Sequence, residues 1–229
     1  MNTPFTLFGT SHLLIILFLI IGVTKIYFTR NWNHTYNQIV RIAIISTLIF
    51  QAILFNGWHI YHGTYLIGSY LPFHLCSISL YLVVISLITK NPKITALTYY
   101  IAFISALLAV VSPDVRPDQN FPSFRFIEFF LSHTFIVLGV AYMIVVDKIK
   151  ISYRSLWVSF GILFIYMLVV FPINKITGGN YLFLNQKPGT GGLFTLFPPE
   201  PYHILALIPA TILIFHIEYL LYKLFTKIQ

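Results

Sequence analysis

Apolar positions in this chain gather into long runs, and its polar and turn-forming residues collect between them. Runs long enough to cross a bilayer as helices, about 20 residues each, lie near 11–28, 40–62, 70–89, 94–112, 126–146, 155–173 and 200–222. The pattern predicts an all-α fold, a polytopic seven-helix transmembrane bundle, with residues 1–229 as one domain. Two connections stand out. Residues 112–125, "SPDVRPDQNFPSFR", carry three prolines that keep them out of helix. Residues 174–201, "NKITGGNYLFLNQKPGTGGLFTLFPPEP", are rich in Gly and Pro yet include Tyr181, Leu182, Phe183, Leu184, Leu193, Phe194, Leu196 and Phe197. A solvated linker has no use for those side chains, so this connection is expected to dip into the outer leaflet, cover a cavity, or pack on helix ends.

Composition sharpens the picture. Apolar residues make up 58% and charged ones 9%, with a mean hydropathy of +0.83, where a soluble domain is about a quarter charged. A single cysteine excludes an intramolecular disulfide framework. The net charge of +8 has the sign of a nucleic-acid binder, but its placement argues against one. With the N-terminus outside and the C-terminus cytoplasmic, ten of the 14 Lys and Arg fall on the inner side. Only Arg116, Arg125, Lys175 and Lys187 remain outside, which is the positive-inside bias. The basic residues therefore encode orientation in a cell membrane and contact with phospholipid. Met1–His12 has no positive stretch and no small-residue cleavage site closes the first apolar run, so that run reads as a span. No internal repeat is visible, which counts against a transporter built from inverted halves.

Candidate chemistry clusters toward the outer ends of the spans. His12, His59, His62, His74, His133 and His203 all fall there, with Cys76 and Glu128, whereas His34 and His216 do not. Ionisable groups inside a bilayer are functional by default. On a regular helix over 70–89, Tyr70, His74, Ser77 and Tyr81 share one face and Cys76 lies about 160° from His74, so a base for the thiol must come from another helix. Counted from the starts of their runs, Cys76 sits roughly 9 Å and His133 roughly 13 Å deep, and both helices run inward. A histidine at that depth can deprotonate a thiol. Each residue also has a plainer role: the cysteine as a small core side chain, Arg125 and Glu128 as an ion pair anchoring their helix, and His59 and His62 with Trp58 as an interfacial belt. The histidines show no HxxxH or HExxH spacing, so neither a metal nor a cofactor is expected.

Three stretches, "LPFHLCSIS" (71–79), "FPSFRFIEFFLSH" (121–133) and "GGNYLFLNQKP" (178–188), together resemble the YwaF-like family of bacterial integral membrane proteins. That family is similar to an animal transmembrane acyltransferase that remodels ether phospholipids. The resemblance runs through nearly the whole chain, in order, with seven spans. It implies that Cys76 accepts the acyl group and that His133 is its histidine. Acyl transfer at the outer leaflet follows, with His59, His74, Arg125, Glu128 and Asn180 as substrate-binding candidates and Asn180, His74 or the backbone near Pro72 as donors to the oxyanion. A transporter or lipid permease using the same polar cavity is the alternative, and a scaffold for partner proteins is a third.

Overall fold

The computed structural model describes residues 4–187 and 196–228, and among these it is all-helical. Leu193 and Phe194 of the long connection, and Pro188 at the end of the third motif, lie outside the described residues. The helices are α1 (Thr10–Thr29), α2 (His34–Tyr61), α3 (Ile67–Tyr70), α4 (Leu75–Thr89), α5 (Pro92–Val111), α6 (Phe124–Val145), α7 (Tyr153–Thr177) and α8 (His203–Ile228). Six of them, α1, α2, α5, α6, α7 and α8, are long and apolar enough to cross a membrane. The chain is thus a multi-pass membrane protein. The apolar helix α4 has only 15 residues.

Short polar residues set the helix starts. The side chain of Asn33 accepts from Tyr36 N–H at the head of α2. That of Asn91 accepts from Lys93 and Ile94 ahead of α5, whose first residue is Pro92. Ser123 does the same for α6, and Ser152 and Ser155 exchange bonds at the head of α7. Each such cap contributes about 1 kcal/mol, and Pro92 costs nothing at a first helical position that has no N–H partner.

Burial ranks the helices. In α6, 78% of the most apolar stretch is buried inside the protein, against 11% in α8. The core helix is therefore α6, packed by α1, α2, α4 and α5, while α1, α7 and α8 turn most of their surface toward lipid. Side-chain bonds define the two ends of the bundle. At one end His12 Nε2 donates to Val110 O at 2.7 Å while its Nδ1 accepts from Phe8 N–H at 2.9 Å, and Ser11 donates to Asn120 at 2.6 Å. With both nitrogens bonded and no exposure, His12 is a pin between α1 and α5. At the other end Arg41 pairs with Asp147 and donates to Leu87 O at 3.2 Å, and the Tyr142 hydroxyl donates to Asn37 O at 2.7 Å.

The span expected over 70–89 is corrected by the structure. Helix stops at Tyr70 and resumes at Leu75, with Leu71 and His74 in extended conformation. Pro72 supplies the physical reason: it lacks an N–H and disfavours the helical region for the residue before it. Tyr70 and His74 therefore do not share a helical face with Ser77 and Tyr81, and the 160° separation of His74 from Cys76 does not apply. The depth argument changes as well, because Cys76 lies in the first turn of α4 rather than well inside a helix.

Candidate active site at a broken helix

The break at residues 71–74 is held from the far side of the chain. Gly178 closes α7 in the left-handed region, with φ +66°, and the chain turns back through Tyr181–Phe183. Fully buried Tyr181 accepts from Leu71 N–H at 3.1 Å and donates to Ile67 O. Burial raises its phenol above the ordinary value, so the donating proton stays in place. Asn174 clasps the same residue, giving Nδ2–H to Tyr181 O at 2.9 Å and accepting Tyr181 N–H at 2.8 Å. Tyr166 donates to Phe73 O at 3.1 Å. Non-helical backbone at membrane depth survives only where protein satisfies it, and these hydroxyls do so.

Two glycines make the approach possible. A Cβ on Gly179 meets Gly68 O at 2.5 Å, and one on Gly68 meets Thr177 O at 3.0 Å. Leu182 and Phe183 both sit at positive φ, 57° and 55°, a conformation costing about 1–3 kcal/mol for each non-glycine residue. Their surroundings hold them there: fully buried His203 donates from Nε2 to Phe183 O at 2.9 Å.

The residues singled out from the sequence are distributed as follows. Cys76 is a free, partly buried thiol on the first turn of α4. His74 caps that helix from the break, its ring against Tyr181 and Phe183 at centroid distances of 5.0 and 5.7 Å. His133 is buried on α6, which packs on α4. Its Nδ1 lies 2.6 Å from Phe129 O. A carbonyl only accepts, so Nδ1 carries the proton and Nε2 keeps its lone pair. No hydrogen bond joins this ring to the thiol. His59, at the end of α2, stacks on Tyr70 at 4.0 Å and bonds Thr64 at 2.9 Å. Glu128, buried on α6, takes Arg125 on one oxygen and Gln51 Nε2 on the other, the latter at 3.2 Å. Asn180 directs its amide into its own loop, accepting from Asn185 and Gln186 N–H and donating to Gln186 O.

One charge links most of this set. The Arg125 guanidinium acts electrostatically on His59, His74, Cys76 and His133, and pairs with Glu128. Asn180 belongs instead to the clasp that supports the break. Sequence reasoning missed Gln51, Tyr181 and the Gly68–Gly179 contact. Gln51 had a signal, an amide inside an apolar span, whereas the glycine contact pairs residues 111 positions apart and left none. Among the described residues no three His, Cys, Asp or Glu side chains converge as a metal would require.

The model of the TMEM164 family matches residues 7–219. The chain belongs to the TMEM164 family. No curated protein and no solved structure matches it. Within the family match, the YwaF-like label rests on the three quoted motifs alone.

Proposed function

We propose that this member of the TMEM164 family transfers acyl groups between phospholipids through Cys76 and His133, in the outer half of a cell membrane that the chain spans seven times, N-terminus outside and C-terminus cytoplasmic. The observation that carries the reading is the sole thiol standing at a helix break, next to the helix that holds a buried histidine with an available Nε2. The length of α4 supports it. Fifteen residues span about 22 Å of a hydrocarbon core about 30 Å thick. With Thr89 at the inner surface, Cys76 lies about 10 Å inside the outer edge of the core, close enough for a lipid ester displaced inward to reach the thiol.

The chemistry then runs in two balanced steps. His133 Nε2 takes the thiol proton, and the thiolate attacks an ester carbonyl carbon of a phospholipid. The tetrahedral intermediate collapses with cleavage of the carbon–oxygen bond. The leaving alkoxide receives the proton from His133, giving a lysophospholipid and a Cys76 thioester. A second lysophospholipid hydroxyl, deprotonated by the same nitrogen, attacks the thioester. Collapse returns the ester and the thiol, with no net oxidation. Backbone N–H groups at the start of α4 point toward the break and are positioned to receive the oxyanion.

The test is acyl exchange in reconstituted vesicles, with intact-mass detection of an acyl adduct on Cys76. Cys76→Ala and His133→Ala are each expected to abolish exchange. The double variant is expected to be little worse than either, because groups acting as a unit are non-additive. Cys76→Ser, with a hydroxyl far harder to ionise than a thiol, is expected to be nearly inactive. Near-native exchange by Cys76→Ala overturns the nucleophile. Absence of exchange by the native chain across a broad lipid panel hands the site to the permease reading.

A further inference from the structure

Arg125 presents a partly exposed guanidinium beside a buried carboxylate. Its side chain is 39% exposed while that of Glu128 is 5% exposed, so the ion pair has a sealed side and an open one. The carboxylate is fixed from behind by Gln51, itself buried, so α2 and α6 together orient the guanidinium. The ring of Phe129 lies under it, 5.0 Å from the guanidinium carbon. A guanidinium carries five N–H donors; one goes to Glu128, and among the described residues no other is bonded. Its charge reaches Cys76 and His133 as an influence smaller than that of their burial. A planar fork with unspent donors, rigidly backed and partly desolvated, matches the tetrahedral oxygens of a phosphate.

We propose that Arg125 is the phosphate anchor of this site: it holds the phosphodiester of a phospholipid headgroup, and Glu128 and Gln51 are the positioning residues that aim it. The proposal rests on the acyl-transfer reading for its setting and adds the group that selects phospholipids over uncharged acylglycerols. A single anchored phosphate also explains why an open cation is retained among buried groups, where pairing alone is served better by a sealed one.

Binding and turnover are separable in the test. Purified Cys76→Ala protein in dodecyl maltoside, a phosphate-free detergent, is titrated with palmitoyl-oleoyl phosphatidylglycerol or with palmitoyl-oleoyl glycerol and read by native mass spectrometry. Adding Arg125→Gln is expected to weaken phospholipid binding by about tenfold to a hundredfold, the range of a hydrogen-bonded charge, and to leave the diacylglycerol unchanged. Arg125→Lys is expected to recover part of the loss, since it keeps the charge without the fork. Gln51→Leu is expected to lower the phospholipid-to-diacylglycerol preference by a smaller factor, a ratio that a merely structural role does not move. Should Arg125→Gln fail to fold because Glu128 is left unpaired, Arg125→Gln combined with Glu128→Gln removes both charges and serves in its place. Equal losses for both lipids, or no loss, overturn the anchor. Inorganic phosphate that displaces the phospholipid at equal concentration overturns the lipid assignment. Arg125-dependent phospholipid binding without acyl exchange by the native chain keeps the anchor and removes the enzyme; exchange unaffected by Arg125→Gln does the reverse.

Discussion

Among the described residues three arginine–carboxylate pairs occur; Arg116 with Asp118 is exposed on both sides, and the other two, one toward each end of the bundle, differ in one respect. At the basic end, Arg41 and Asp147 are both largely sealed, with side-chain exposures of 7% and 15%. Arg41 turns its donors inward, to Asp147 and to Leu87 O, and lies over the Tyr142 ring. At the site end Glu128 is sealed but Arg125 is partly open, with most of its donors unbonded among the described residues. The first clamp joins α2 to the turn after α6, and the second reaches α2 from α6 through Gln51. The first spends the terminal nitrogens of its cation on Asp147 and on Leu87 O of α4, with its buried Nε unpaired among the described residues; the second secures the carboxylate and leaves the cation partly exposed. Exposure of the arginine therefore separates a staple from a site, which charge pairing alone does not.

The largest effect that tests this difference belongs to the basic end. Arg41→Ala leaves Asp147 and Leu87 O without a partner, and breaking a buried pair on one side costs about 3–5 kcal/mol. Unfolding in detergent is expected to show that loss. Arg41→Met combined with Asp147→Leu is expected to restore most of it, since apolar replacement of a buried pair is often neutral. The matching pair at the site end, Arg125→Gln with Glu128→Gln, is expected to keep stability within about 1 kcal/mol while acyl exchange of phospholipids is lost. Equal stability losses at the two ends would erase the distinction between them.

Next in size is the clasp. Tyr181→Phe strips the hydroxyl from Leu71 N–H and Ile67 O at a buried position, and an unsatisfied buried group costs about 1–3 kcal/mol. Gly179→Ala drives a Cβ into Gly68 O and carries an overpacking cost of about 1–3 kcal/mol. Both are expected to lower turnover more than they lower lipid binding, because they shift the segment that leads into Cys76 and leave Arg125 in place. Measuring KM and kcat separately checks this: a rise in KM alone would mean the clasp shapes the binding face instead.

The extent of legibility in the sequence follows from the range of the forces involved. Six long spans were readable because twenty apolar residues in a row have one solution in lipid; the caps at Asn33, Asn91, Ser123 and Ser152 act within three residues of themselves but went unread. The Arg125–Glu128 pair was readable for the same reason, lying three apart on one helix. The break at 71–74 was half readable: Pro72 signalled it, yet the apolar run passes straight through, and what stabilises the break is Tyr181, more than a hundred residues away. Asn180 looked like a ligand in the motif and is bonded within its loop. Long-range bonds such as that of Tyr181 to Leu71 leave no spacing to read.

The smallest expected effect makes the finest distinction between the two clamps. Gln51→Leu removes the donor to Glu128 Oε2 without removing a charge, and the leucine is better solvated by its apolar neighbours than the amide. A hydrogen bond to a charged group is worth about 1.5–3 kcal/mol, offset in part by that gain, so a net loss of about 1 kcal/mol is expected in detergent unfolding. Arg125 still holds the carboxylate through Oε1, which is why the clamp does not collapse. Gln51→Glu gives the opposite sign of perturbation at the same shape. Two carboxyl groups at hydrogen-bond distance do not both ionise, so the pair shares a proton, Arg125 faces a single net charge as before, and orientation is retained. The leucine variant is therefore expected to lower phospholipid preference and the glutamate variant to keep it below the pH at which the shared proton leaves. If both variants lose the preference equally at every pH, Gln51 is packing rather than aim, and the site-end clamp is a staple like its counterpart.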